Sequence, residues 1–481
     1  MRAKQVFRIF LLSFCLQLGV NAAVPRIGVI GGGIGGTGAA YFLRKLFGPK
    51  GIKIDVYEQA AIGGRLATVN VDGFEYETGG SVIHPKNHYV VGIMKELGLG
   101  RRKTHESTFG LYDGNKFLFR EANTWNFINT LKILWRYGIN VITLQDYVSD
   151  MLGKFERIYG LQKSGFAFPS VNDLMAGTDL ELAEALHVSL KEALLHEGFS
   201  KLLIDELVTA AIVVDYGQTT DVHQFVGSVA LAGAGAGLFA VEGGNFKLPV
   251  KMLDVSGATL KKVHVSSIEL LNTGKYLIHS TGNHSIKYDA VIMAFPYAEN
   301  INSNFTFKNF PSTFIYEPSG NYHRTVSTVV KGELNHTFFG FEDATDVVDE
   351  ILCVRTDLAF NSIGRIYPVS GTPNKKSDVW KVFSQVPLSR EQIDSLFKSV
   401  DKIVVKDWLA YPHYRADWRH DKFRIHDNLY HINAIEWAAS AMEMSLVGAK
   451  NVALSFYHDW GEPIVEATVE ETVKLNLKVD L

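Results

Sequence analysis

Residues 26 to 47 read RIGVIGGGIGGTGAAYFLRKLF, and this stretch decides the fold. Arg26 to Ile30 is a short apolar run of the buried-strand type. Gly31, Gly33 and Gly36 follow in the spacing G-x-G-x-x-G. Thr37 to Phe47 then has a helical pattern rich in Ala, Tyr, Phe and Leu. The glycine motif carries meaning because a strand precedes it and a helix follows. Gly31 permits the tight turn, Gly33 lets a pyrophosphate approach the backbone, and Gly36 lets helix and strand pack closely. The helix N-terminus adds free N–H groups and a partial positive charge. The pattern predicts an α/β chain with a Rossmann-type dinucleotide-binding domain.

A second strand, Lys53 to Tyr57, ends at Glu58, 22 positions past Gly36. That is close to the roughly 20 expected of an acid that accepts hydrogen bonds from a ribose, and its charge would repel a 2′-phosphate. The next stretch, EQAAIGGRLA (58–67), adds Gly63-Gly64-Arg65. Here backbone can again approach a cofactor, with a cation near its phosphates or sugar chain. Phe74 to Ser81 supplies one more pair, Gly79-Gly80, followed by Ser81, as a place where backbone could lie against a flat ring. A plain NAD enzyme needs none of these extra contacts. Their spacing favours FAD and leaves NAD open.

The chain of 481 residues, 47% hydrophobic and 21% charged, is long enough for two folded domains and too apolar for disorder. Its 48 basic and 51 acidic residues give a formal charge of −3, with no basic run suited to nucleic acid. Residues 1–22 read as a secretory signal peptide: Arg2, Lys4 and Arg8, then Ile9 to Val20, then Val20-Asn21-Ala22. The two cysteines are Cys15, which leaves with the leader, and Cys353, so no internal disulfide is expected. Asn283, Asn304 and Asn335 each begin a glycosylation sequon. The C-terminus, KVDL, is not a KDEL retention signal. The uncharged run 225–241, FVGSVALAGAGAGLFAV, is short and glycine-rich. It predicts a buried helix or helix-loop and no transmembrane helix after signal cleavage.

Several motifs together resemble a known family. Glu58 with Gly63-Gly-Arg65 resembles the glutathione-reductase-type FAD fold of monoamine oxidases and phytoene desaturases. The narrower resemblance is to the prenylcysteine oxidase family. It is carried by Gly35-Gly-Thr37, Ala39 to Arg44, Gly63 to Thr68, Gly79-Gly-Ser-Val-Ile-His-Pro85, Leu231 to Gly235 and Val241 to Asn245. Near the C-terminus it is carried by Asn433-Ala-Ile-Glu436, Ala439-Ser-Ala-Met-Glu443 and Asn451 to Ala453. These motifs lie in order from Arg26 almost to the end of the chain. The glycine motifs specify only the FAD superfamily; the His-Pro and Ser-Ala-Met-Glu segments are far more specific.

The resemblance implies an FAD-dependent thioether oxidase that degrades the prenylcysteine left by proteolysis of prenylated proteins. Farnesyl- or geranylgeranylcysteine, water and O2 would give cysteine, a prenyl aldehyde and hydrogen peroxide. It implies a discontinuous FAD-binding domain (25–100, 242–296 and 426–481) and a mixed α+β substrate-binding domain (101–241 and 297–425). In the latter, Asp179 to Glu197 is helix-like. Val265 matches a family position whose backbone meets adenine. Glu436 matches an acid at the ribityl chain, and the backbone near Ser440 and Ala441 a helix N-terminus aimed at the flavin. Asp289 to Pro296 resembles a strand passing under the cofactor, with an ordinary buried strand as the alternative. His84 would either assist proton movement or simply order the turn before Pro85. No cysteine lies near the C-terminal flavin segment, so FAD is expected to be non-covalent. An amine oxidase-like enzyme and a non-catalytic prenyl-lipid carrier remain as alternatives on the same scaffold. The expected destination is the secretory pathway and the lysosome, with an extracellular one as the alternative.

Overall fold

The predicted first strand, Arg26–Ile30, lies at the centre of a six-stranded sheet. It runs parallel to Lys53–Tyr57 on one side and Ala290–Met293 on the other, with Ile30 facing Tyr57 and Met293. From edge to edge the order is Arg424–His426, Leu429–His431, Ala290–Met293, Arg26–Ile30, Lys53–Tyr57 and Thr259–Lys261. The structure, a computed structural model, describes residues 24–103, 107–121, 126–234, 237–282, 284–301, 304–317, 320–371, 376–417 and 422–461. The expected leader, sequon Asn283 and the last part of the 426–481 segment fall outside them.

The central strands are apolar along their length because both faces of the sheet are covered. On one side lies helix Ile34–Phe47, packed against Lys247–Ser256 and Met442–Gly461. A Cβ on Gly38 would sit 2.7 Å from the Leu446 side chain, so the helices approach at a distance that only glycine permits. On the other side lies a four-stranded sheet ordered His284–Tyr288, Tyr276–Ser280, Val265–Leu270 and Thr306–Lys308. Ile268, Tyr276 and Ile278 pack there on Ile30, Val291 and Met293.

The second domain is a seven-stranded sheet with a helical layer. Its order is Phe397–Pro412, Tyr322–Leu334, Val379–Ser384, Ser362–Arg365, Glu350–Cys353, Phe109–Tyr112 and Phe117–Arg120. Most helices between Asn126 and Gly233 form the layer. Val330, Ile351, Ile363, Trp380 and Val382 form a core on one sheet face, and Cys353 is buried among them.

The structure shifts three expected boundaries. Thr306–Lys308 pairs in parallel with Ser267–Glu269, so the middle piece of the first domain reaches past 296 to residue 308. Arg424–His426 joins the six-stranded sheet, so the last piece starts slightly before 426. The hairpin Thr68–Val71/Phe74–Glu77 lies within the first piece, yet Val71 and Tyr76 pack on Val329 and Val379 of the large sheet. The helical run at 179–197 is two helices, Leu180–Glu184 and Leu190–His196, because Ser189 caps the second in a reciprocal pair with Glu192. The glycine-rich run opens as helix Gln224–Gly233 and closes as strand Phe239–Val241. No described helix is long and apolar enough to cross a membrane.

Candidate active site

The three motif glycines meet different surroundings. Gly31 has φ +117°, and a Cβ there would strike the Ala294 carbonyl at the end of the neighbouring strand. The 289–296 segment, expected under the cofactor, thus packs its backbone directly against the glycine turn. A Cβ on Gly36 would strike the Gly31 carbonyl. Gly33 meets nothing: its Cβ would find no atom closer than Gly64 Cα at 4.0 Å. Two of the glycines thus satisfy the protein's own packing, while the third leaves open space before the helix N-terminus at Ile34. An anion fits that place, where N–H groups lack intrahelical partners.

The turn Gly63-Gly64 folds onto this cradle, with the Gly63 N–H donating to the Gly32 carbonyl at 3.0 Å. Glu58 sits at the rim. One carboxylate oxygen accepts the Gly32 N–H (2.9 Å) and the other the Ala60 N–H (2.8 Å), so each keeps an acceptor position for a sugar hydroxyl. The strand starting at Val265 begins close by. The Glu58 N–H donates to the Lys261 carbonyl (3.0 Å), and His264 Nδ1 lies 2.9 Å from Gln59 Oε1.

Arg65 leads from the cradle to the far end of the chain. Both its terminal nitrogens donate to Glu436, the Nη1 bond being 3.0 Å, and Nη1 lies 3.4 Å from Ser440 Oγ. Burial works against the guanidinium charge, but Glu436 outweighs it and holds the group above its ordinary value. Glu436 also accepts from Tyr322 (2.7 Å) and Asn433 (2.7 Å), which fills its four acceptor positions. It is 1% exposed, whereas the Arg65 side chain is 32% exposed. Glu436, expected at the ribityl chain, is placed so that it fixes Arg65, and Arg65 presents the more open surface of the pair.

Gly79 and Gly80 lie beside Arg65, and the Gly80 N–H donates to its carbonyl at 3.3 Å. The Gly80 carbonyl accepts from Asn245 Nδ2 (2.9 Å), with Ser81 half-buried next in the chain. The Ser440 N–H donates to the Tyr414 hydroxyl (2.8 Å), and the Ala441 carbonyl accepts from Ser445 in the first turn of helix Met442–Gly461. Arg65, Gly80, Glu436, Ser440 and Ala441 therefore form one junction. His84 belongs elsewhere. Its Nδ1 accepts the Lys86 N–H at 3.2 Å, and its charged neighbours are Lys86 and Glu156. Burial and Lys86 both lower its pKa.

The sequence motifs missed a charged cluster on the large sheet. Lys381, 8% exposed, stands in register with Gly364, and Gly364 in register with Glu350, so the two charged side chains share a face with no side chain between them. Glu77 accepts the Asn245 N–H (2.8 Å) and lies 4.0 Å from Arg102. Asp215 ends helix Thr209–Tyr216, and the Tyr216 hydroxyl reaches the Ser440 carbonyl at 3.4 Å. Asp215 keeps accessible surface and stands near Glu350. Burial pushes Asp215 up to about 7, with Glu350 adding to it. Burial raises Glu77 to about 7 against Asn245 and Arg102, and lowers Lys381 to about 8 against Glu77 and Glu350. The available signal was a lone charge inside an apolar run: IVVDYG for Asp215 and VWKVFS for Lys381.

The open cradle at Gly33, the half-bonded Glu58 and the partly open Arg65 fit an extended dinucleotide, and with the two-domain fold they define an FAD-binding oxidoreductase. Solved structures agree on the fold. A triple mutant of putrescine oxidase superposes with a TM-score of 0.59 at 14% identity, covering 90% of this chain and 98% of that one. Cyclohexylamine oxidase from Brevibacterium oxydans IH-35A gives 0.58 at 15%, covering 90% and 99%. The NAD(P)-binding Rossmann-like profile matches residues 29–97, and the prenylcysteine lyase profile residues 120–468. Among relatives, prenylcysteine oxidase 1 of Bos taurus is 41% identical over 475 residues, 94% of this chain and 92% of its own. Human prenylcysteine oxidase 1 is 41% identical over 92% and 90%, and human prenylcysteine oxidase 1-like is 35% identical over 92% of each. The chain belongs to the prenylcysteine lyase family.

Proposed function

We propose that this protein is an FAD-dependent thioether oxidase that cleaves S-prenyl-L-cysteine with water and O2 to L-cysteine, a prenyl aldehyde and hydrogen peroxide. The observation that carries this reading is the chain's membership of the prenylcysteine lyase family, together with a Gly33 cradle and a half-bonded Glu58 that fit FAD. On the large sheet, Glu350 stands beside Phe109 and shares its face with Lys381.

The Gly31–Gly36 turn and the helix behind it would hold the pyrophosphate, Glu58 the adenosine ribose, and Arg65 the phosphates or sugar chain. FAD, when bound, supplies the two-electron oxidation of the allylic carbon next to sulfur and passes the electrons to O2. Sulfur and the double bond share the positive charge that develops on that carbon, so no strong protein base is required. The chain's work is placement: the large sheet holds the thioether against the junction at Gly80 and Ser440. Water adds to the oxidised carbon, and the hemithioacetal collapses to thiol and aldehyde.

Processing of residues 1–22, glycosylation at Asn283, Asn304 and Asn335, and a lysosomal destination complete the proposal. Asn304 is exposed, as a glycan acceptor must be. Asn335 is half-buried, with its side-chain nitrogen donating to Ser395 at 3.0 Å.

The test is anaerobic mixing of the purified protein with farnesylcysteine while the flavin spectrum is followed. Bleaching of the flavin band is expected. A band that stays oxidised overturns the substrate and favours another, such as an amine. Folded protein with no flavin band overturns the oxidase and favours a lipid carrier.

A further inference from the structure

We infer that Asp215, Glu350 and Lys381 bind the zwitterionic amino-acid end of the substrate, the two carboxylates taking its ammonium and Lys381 its carboxylate. This rests on the thioether oxidase reading above and assigns the groups that would select a free amino acid.

The first observation is register. Glu350 and Lys381 sit two strands apart on one sheet face, and the intervening Gly364 has no side chain to separate them. A Cβ on Gly364 would lie 4.0 Å from Glu350 Cγ, so the Glu350 side chain passes over the glycine. Asp215 reaches the same region from helix Thr209–Tyr216, which packs on the strand Glu350–Cys353, close enough for the two carboxylates to repel.

The second observation is missing partners. Among the described residues, Lys381 forms no hydrogen bond and no ion pair; its ammonium only lies over the Phe383 ring, 4.7 Å from the centroid. Asp215 likewise has no hydrogen bond or ion pair there, and Glu350 has one bond, from Ser107 at 2.9 Å. Ser327 Oγ and Arg102 Nε are buried without a partner. Ser327 is in register with Phe383, so it lies on the face that carries Lys381. Lys381 and Ser327 are buried, and buried charges and hydroxyls are normally paired, so this set is built for a polar ligand.

The third is charge balance. Glu77 faces Arg102 and Lys381, Glu350 faces Lys381 with Asp349 and Glu121 nearby, and Asp215 faces no cation. A ligand ammonium supplies it, and the ligand's own carboxylate falls to Lys381. The cluster is also well placed for the reaction. Asp215 precedes Tyr216, which bonds Ser440, and Glu77 lies three residues before Gly80. A cysteine held here keeps its sulfur close to the Gly80–Ser440 junction.

The test compares anaerobic flavin reduction by farnesylcysteine, its N-acetyl derivative and its methyl ester. Wild-type protein is expected to lose about 10- to 100-fold in kcat/KM on N-acetylation, because a buried carboxylate is left without its cation. Asp215→Asn should lose a similar factor on farnesylcysteine and little more on the N-acetyl compound. Lys381→Gln should show the same non-additivity with the methyl ester. Equal losses on charged and blocked substrates would overturn the assignment. If a variant does not fold, Glu350→Gln replaces it, and wild-type protein that ignores N-acetylation overturns the assignment without any variant. Failure of farnesylcysteine itself to bleach wild-type flavin would instead sink the underlying oxidase reading.

Discussion

Arg65 and Glu436 are 371 residues apart in the chain and form a two-point ion pair between the glycine cradle and the short 3-10 segment Ile432–Trp437. The pair joins the first and last segments of the FAD-binding domain, so cofactor retention and domain stability should depend on it together. Glu436→Gln leaves a largely enclosed guanidinium without its carboxylate. The expected cost is about 2 kcal/mol, below the full penalty of a buried pair because Arg65 is partly open. Thermal unfolding, with flavin content measured after gel filtration, checks this, and unchanged values for both would contradict it.

The glycines of the motif should separate by experiment. Gly36→Ala drives a methyl group into the Gly31 carbonyl and should impair folding with or without added FAD. Gly33→Ala meets only open space, at a backbone φ of −74° that alanine accepts. It should fold normally and bind FAD at least tenfold more weakly, because the methyl group occupies the pyrophosphate's position. Circular dichroism melts and FAD titration of the apoprotein distinguish the two outcomes.

Glu443 provides a pH-dependent stability test. It is 5% exposed and accepts from the Tyr89 N–H (2.7 Å), the Val90 N–H (2.9 Å) and the Tyr159 hydroxyl (2.8 Å). Burial nevertheless pushes its pKa up to about 7. A raised folded-state value means that the native protein binds this proton more tightly than the unfolded chain. The contribution is complete below about pH 4.3 and is lost as pH rises through 7. Glutamine cannot titrate, so wild-type stability minus that of Glu443→Gln should fall by about 2–3 kcal/mol between pH 5 and pH 8. His323 and His431, which burial lowers to about 4, act with the opposite sign but are common to both proteins. A difference that is flat with pH would refute the assignment.

Cys353 offers a check on the cofactor linkage. It is fully buried beside Tyr112, Phe339 and Phe360 on the sheet face that carries Trp380, and burial raises its thiol pKa. Cys353→Ala should cost about 1 kcal/mol in stability. Its flavin should still be released by acid precipitation, in the same amount as from wild-type protein. Flavin that remains with the precipitate would show a covalent bond.

The first βαβ unit was legible because its signals are short-range. Arg26 to Glu58 spans one strand, one helix and one more strand, and the period of each element fixes where the next begins. Boundaries were less legible where pairing crosses segments. Nothing in Thr306 to Lys308 announces that its partner is Ser267–Glu269, and the break at Ser189 was hidden within an otherwise helical run.

The sequence alone therefore determined the dinucleotide cradle, the acid that ends the second strand and the place of Arg65 beside them, because neighbouring residues and helical or strand periodicity set those relations. Tertiary structure decided that Glu436 is filled by Arg65, Tyr322 and Asn433, and that Asp215, Glu350 and Lys381 converge. Those meetings depend on strand order and register across Gly364. Burial then gives them force: a charge that would count for little in water must find a partner inside the protein.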